Sequence, residues 1–138
     1  MTRLKNDCFG QWIDTTQPKK FTFEGKVIQG FDGDSVASAL LAHQVWVQSR
    51  SFKYHRPRGP LTLCGQDANT LVQSPKTPNL LADRVPVEEG LQLSGQNYSG
   101  WLSFDVSRAL DWFGRFLPVG FYYKAFFKPR GMWALWEP

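Results

Sequence analysis

Arg50, Lys53, Arg56 and Arg58 fall within nine residues, with His55 among them and Phe52 and Tyr54 interleaved. A guanidinium group presents a flat fork of N–H donors that grips a carboxylate or phosphate through two parallel bonds. Aromatic rings beside such groups can stack on a base. Pro57, Gly59 and Pro60 exclude a helix from the end of this segment and leave a stiff loop. Two readings follow. In one, Arg50, Lys53, His55, Arg56 and Arg58 contact an anionic ligand, such as a dinucleotide phosphate or a strand of RNA. In the other, the segment is a scaffold loop whose cations pair with carboxylates of a neighbouring subunit. The second is favoured, because ion pairs are common at interfaces and such loops rarely bind a ligand alone.

The remaining polar residues offer less. His43 and His55 are the only histidines. His43 falls at an expected helix end, where a cation suits the helix dipole, and His55 suits a hydrogen-bond donor. Asp32 and Asp34 share one turn and could form an acid/base or metal pair, but no third ligand lies nearby in sequence; turn formation and helix capping explain them better. No Gly-x-Ser-x-Gly elbow, Gly-x-Gly-x-x-Gly turn or phosphate-binding loop ending in Gly-Lys-Ser/Thr occurs. Neither Cys8 nor Cys64 belongs to a Cys-x-x-Cys pair. A zinc or iron–sulfur site needs about four ligands, so no metal site is expected, and reduced thiols are favoured over a single disulfide. No catalytic residue is expected on this chain.

The elements that must position these residues are legible in part. Lys20-Phe21-Thr22-Phe23 alternates as a strand, Glu24-Gly25 reads as a tight turn, and Lys26-Val27-Ile28-Gln29-Gly30 reads as the return strand of a hairpin. Gly33 can turn the chain and Asp34 can cap a helix over residues 35–42, with Val36, Ala39, Leu40 and His43 on one face. Val45-Trp46-Val47 resumes a strand pattern. Leu71-Val72-Gln73 reads as a short strand, and residues 84–93 as an edge strand, demoted by Pro86. Asp105 could cap a helix over residues 106–116. The order strand, strand, helix, strand indicates an α+β domain.

The 138 residues suffice for one domain with a core of its own. Hydrophobic residues make up 42% and charged residues 20%, as in ordinary globular chains. A net charge of +4 does not identify a nucleic-acid binder. Residues 101–138 hold four of the six Trp and six of the eleven Phe. Such a stretch either completes the core or meets a partner, and partner contact is favoured, with some residues doing both. The basic N-terminal residues have no apolar stretch behind them, and no run approaches the length needed to cross a membrane. The cytoplasm is the expected location.

Four segments, residues 21–25, 33–42, 50–59 and 118–124, resemble in order and approximate spacing the N-terminal region of the sarcosine oxidase alpha-subunit family. The specific parts are the Arg-Ser-Phe-Lys-Tyr-His-Arg-Pro-Arg-Gly loop and Gly120-Phe121-Tyr122-Tyr123-Lys124. The resemblance implies a β-grasp fold like that of plant-type [2Fe–2S] ferredoxins. The resemblance covers roughly residues 19–136, and the chain is expected to divide into an N-terminal arm (1–18), a ferredoxin-like domain (19–95) and an aromatic C-terminal extension docking on a partner (96–138). In relatives that keep a cluster, cysteines follow Arg-Pro-Arg-Gly. Here residues 60–67 contain Cys64 alone, so a cluster is not expected. Another departure is local: the family tends to have Asn-Gly after the helix, whereas this chain has His43-Gln44, a poorer pair for a left-handed helix end.

The implied role is a non-catalytic accessory subunit, or the N-terminal part, of a flavoenzyme complex that oxidises a secondary amine or N-methyl amino acid. FAD, FMN and NAD are expected in larger partner subunits and none on this chain alone. Neither a membrane nor nucleic acid is the expected partner. The alternative is a free-standing module whose basic loop captures nucleic acid or another polyanion.

Overall fold

The computed structural model describes Arg3 and residues 12–106. Strands β1 (Asp14–Phe23) and β2 (Lys26–Asp32) form an antiparallel hairpin. Its two-residue turn places both Glu24 (φ 52°) and Gly25 (φ 72°) in the left-handed region, the conformation that matches the twist of tight hairpins. Glycine adopts it freely; Glu24 does so while its carboxylate accepts the Gly95 N–H at 2.5 Å and the Tyr98 hydroxyl at 2.7 Å. The hairpin turn is thereby tied to the chain 71 and 74 residues later. Desolvation, then the hydrogen bond and charge of Glu24, push the Tyr98 phenol up to about 12.

Helix α1 (Val36–Ala42) follows, then the short strands β3 (Ser49–Arg50), β4 (Pro57–Arg58), β5 (Leu71–Gln73) and β6 (Leu80–Leu81), and finally β7 (Gln92–Gly95). Five strands make one sheet in the order β2-β1-β7-β5-β6, while β3 and β4 pair separately. The central pair β1–β7 is parallel, with Phe23 opposite Leu93, and the other pairs are antiparallel. This mixed sheet, with one helix among the described residues, is a β-grasp α+β fold. Alternation puts Phe21, Phe23 and Ile28 on the covered face, where they meet Val36, Ala39 and Leu40 of α1 and Val72, Val87 and Leu93. Burial of this apolar set is the main stabilising term of the domain.

Several local details differ from the sequence expectations. Strand β1 starts at Asp14 and carries an irregularity between Asp14 and Pro18. There the Asp14 carboxylate accepts the Thr16 hydroxyl and N–H and the Gln17 amide, which hold its carboxyl below the usual range. Ser35, not Asp34, caps α1: its hydroxyl oxygen accepts the Ser38 N–H at 3.2 Å. Asp34 is buried and turned back, accepting the Phe31 N–H, the Ser38 hydroxyl and the Arg3 guanidinium. Past the helix, Gln44 takes the left-handed conformation (φ 62°) without the help of glycine.

Residues 45–47 form no ladder. Val45 and Val47 pack against the core while Trp46 faces out, so the alternation is present, but strand pairing begins only at Ser49. The later strand is Gln92–Gly95. Pro86 makes only an isolated bridge with Ser35. Beyond its first residue, the helix expected over 106–116 lies outside the described residues, as does the rest of the aromatic extension.

Candidate functional site

Strands β3 and β4 present the basic loop. Ser49 faces Arg58 and Arg50 faces Pro57. The loop is closed by Ser51 N–H to Arg56 O at 2.9 Å, and by Arg56 N–H to the Ser51 hydroxyl oxygen at 3.0 Å. His55, in the left-handed region at φ 51°, turns the chain back.

The five candidate residues have different surroundings. Arg50 is only 4% exposed and lies beneath the loop. Its Nε donates to Leu102 O at 2.9 Å, Nη1 to His55 O at 2.7 Å and Nη2 to Ser103 O at 3.2 Å, with the Asp105 carboxylate 3.9 Å from Nε. A buried guanidinium must have its donors satisfied; here three main-chain carbonyls accept from it and the Asp105 carboxylate balances its charge. The His55 ring also turns inward, with Nδ1 at 2.9 Å from both Asn97 O and Asp105 Oδ2. Asp105 further accepts the Ser99 N–H. Arg50, His55 and Asp105 thus bind the 97–105 segment to the underside of the loop.

Arg58 donates to Asn69 Oδ1 at 2.7 Å on the surface. Lys53 and Arg56 approach the Tyr54 ring to 5.1 and 4.8 Å, within cation–π range. Neither has a carboxylate partner among the described residues. Phe52 stands 85% exposed beside them. The outward face of the loop is therefore two cations around a tyrosine, next to a bare phenyl ring. It can pair with carboxylates and bury an aromatic anchor. Among the described residues no acid, base or nucleophile converges on it.

Other groups are structural. His43 caps the end of α1, and its Nε2 lies 2.8 Å from Gln29 O. Asp32 pairs with Lys19 at 2.5 Å. A shallow depression lined by Thr22, Gln73, Pro75, Gln92, Leu93 and Ser94 among others has no titratable side chain. Sequence reasoning missed Asp67 and Asp83, both buried. The spacing Asp67-x-Asn69 was the available signal, since an Asp side chain commonly accepts the N–H two residues on, as Asp67 Oδ1 does here at 2.8 Å.

The chain is similar to sarcosine oxidase subunit alpha of Rhizobium meliloti (strain 1021), at 42% identity over 131 residues, covering 91% of this chain and 13% of that protein. Among solved structures it is similar to L-proline dehydrogenase from P. horikoshii, with a TM-score of 0.52 and 25% identity, covering 62% of this chain and 16% of that one. It therefore spans a small part of the length of either relative. Residues 16–98 match the family described as a 2Fe-2S iron–sulfur cluster binding domain.

Such a cluster is held by four cysteine thiolates, or by two cysteines and two histidines in the Rieske type. The whole sequence contains two cysteines, and Cys64 is a free, exposed thiol. Both histidine rings are engaged by protein oxygens, as above. Among the described residues no three His, Cys, Asp or Glu side chains are grouped to share a metal ion. The donor set of this chain does not fit the cluster. Fold and matched span nevertheless agree across the hairpin, the helix and the central strands: the chain belongs to the 2Fe-2S iron–sulfur cluster binding domain family.

Proposed function

We propose that this chain is a non-catalytic β-grasp part of a sarcosine-oxidase-like flavoenzyme assembly that oxidises a secondary amine or N-methyl amino acid. The observation that carries the reading is the 42% identity to a sarcosine oxidase alpha subunit, sustained over 91% of this chain. The likeness to L-proline dehydrogenase, whose name also describes an amino-acid oxidation, supports it. In this reading the substrate, FAD, FMN and NAD are held by larger partner subunits or by further parts of the same protein, and the assembly works in the cytoplasm. No helix among the described residues is long and apolar enough to cross a membrane.

The chain's contribution is a docking body. The arm (1–18), the β-grasp domain (19–95) and the aromatic extension (96–138) act together, with the extension and the basic loop meeting the partner. Trp12, Trp46, Phe52, Trp101 and Phe104 are all more than two-thirds exposed, and aromatic anchors of this kind are enriched where proteins associate. Lys53 and Arg56, with Arg58 beside them, meet carboxylates of the partner. Arg50 and His55 hold the loop in shape.

Charge reversal tests this role. Lys53→Glu with Arg56→Glu leaves the fold intact and weakens capture of the flavin-binding partner by about tenfold or more, since like charges across an interface repel. Unchanged capture sinks the docking role of the loop. Binding of RNA or DNA that falls steeply with salt would instead support the free-standing polyanion module.

A further inference from the structure

We infer that Asp67 is an internal anion around which the loop of residues 59–69 closes, doing with hydrogen bonds what a metal cluster does with thiolates, so that this chain folds the loop without metal. The family is described by a 2Fe-2S cluster, and the loop carries the one cysteine among the described residues. It contains no helix or strand. In small metal-binding domains, binding of the ion supplies folding free energy to the loops that ligate it.

Here the centre is a carboxylate. Asp67 is only 3% exposed. Its Oδ2 accepts the Leu61 N–H at 2.7 Å and, more weakly, the Thr62 N–H at 3.4 Å. Its Oδ1 accepts the Asn69 N–H at 2.8 Å. Main-chain donors from the start and end of the loop thus converge on one side chain, which as an anion accepts through both oxygens. The Asp67 N–H donates to Asp83 Oδ2 at 3.0 Å, joining this centre to the chain just past β6. Asn69 closes the ends: its Nδ2 donates to Gly59 O at 2.7 Å, while its Oδ1 accepts from Arg58.

The outward side of the loop fits the same assignment. Leu61 and Leu63 are exposed, and the Cys64 thiol is exposed and free. The thiol is thus not gathered with other ligands at the centre. The inference rests on the loop's own bonds and is independent of the flavoenzyme reading.

Amide hydrogen exchange on the full chain tests it. In the wild-type chain, Leu61 and Asn69 N–H are protected, and treatment with EDTA leaves that protection unchanged. Asp67→Ala raises exchange at these two amides on the order of ten- to a hundredfold, the loss expected for charge-assisted bonds, while amides of Lys26–Asp32 keep theirs. Asp67→Asn, which retains one acceptor oxygen and nearly the same shape, gives a smaller rise and is read alongside in case the alanine variant folds poorly. The inference is overturned if the wild-type amides exchange freely. It is also overturned if EDTA loosens them, or if reconstitution with ferrous iron and sulfide gives a visible cluster spectrum together with added protection of the loop.

Discussion

Replacing Arg50 with methionine separates the two faces of the basic loop. Methionine keeps roughly the length and apolar stem of arginine and removes every donor. The Leu102, His55 and Ser103 carbonyls would each lose an N–H from 2.9, 2.7 and 3.2 Å, and the buried Asp105 would lose a cation at 3.9 Å. Removing one partner of a buried, hydrogen-bonded charge costs about 3–5 kcal/mol, because the groups left behind stay desolvated. Single unsatisfied carbonyls at about 1–3 kcal/mol each bracket the same figure when solvent reaches some of them. The expected loss is therefore about 3–5 kcal/mol, a large fraction of the stability of an ordinary domain. The measurement is urea unfolding of the full chain followed by tryptophan fluorescence, comparing midpoints at a common slope. Arg56→Met is the control. Its side chain touches the Tyr54 ring at the surface, so a change within about 0.5 kcal/mol is expected. A loss below about 1 kcal/mol for Arg50→Met, or equal losses for the two variants, would refute the assignment of Arg50 to the interior.

Further outcomes follow from the same geometry. Tyr98 ionises near 12 while ordinary tyrosines ionise near 10, so an ultraviolet titration of the phenolates resolves a late step that moves down in Glu24→Gln. Because the folded value is raised, the stabilising contribution of Tyr98 is fully present below about pH 10 and is lost as pH rises towards 12, which alkaline unfolding of Tyr98→Phe against wild type checks. Gly33 lies at φ 83°, and an added Cβ would fall 1.8 Å from the Trp12 carbonyl oxygen. Gly33→Ala therefore lowers stability by at least about 2 kcal/mol, from left-handed strain plus displacement of residues 12–13. A melting temperature within a degree or two of wild type would contradict that.

The parts of the fold visible in the sequence are those set by local periodicity and turn chemistry. Phe21 and Phe23 alternate with Thr22, Glu24-Gly25 closes the hairpin, and the spacing of Val36, Ala39 and Leu40 marks the buried face of α1; all three take their expected places. The failures occur where a distant partner decides. Val45, Trp46 and Val47 alternate like a strand, but the chain meets a partner strand only at Ser49. Asp34 resembles a cap until Arg3, 31 residues earlier, and the Phe31 N–H compete for its carboxylate. The site was legible as a set of charges and not as a set of directions. Nothing local distinguishes Arg50 from Arg56, because what draws Arg50 inward is the 102–105 turn more than fifty residues on. Asp67 was overlooked for a related reason: a lone aspartate in a loop looks solvated until the donors that close on it are known.

The central claim, that this chain serves as a docking part of a flavoenzyme, is tested most directly by purifying it from its native cells at moderate salt and recording subunit stoichiometry and the absorbance spectrum together. The account predicts a yellow complex of fixed stoichiometry with flavin-binding chains, its flavin bleached when a secondary amine or N-methyl amino acid is added. A colourless chain that elutes alone or with nucleic acid would contradict it.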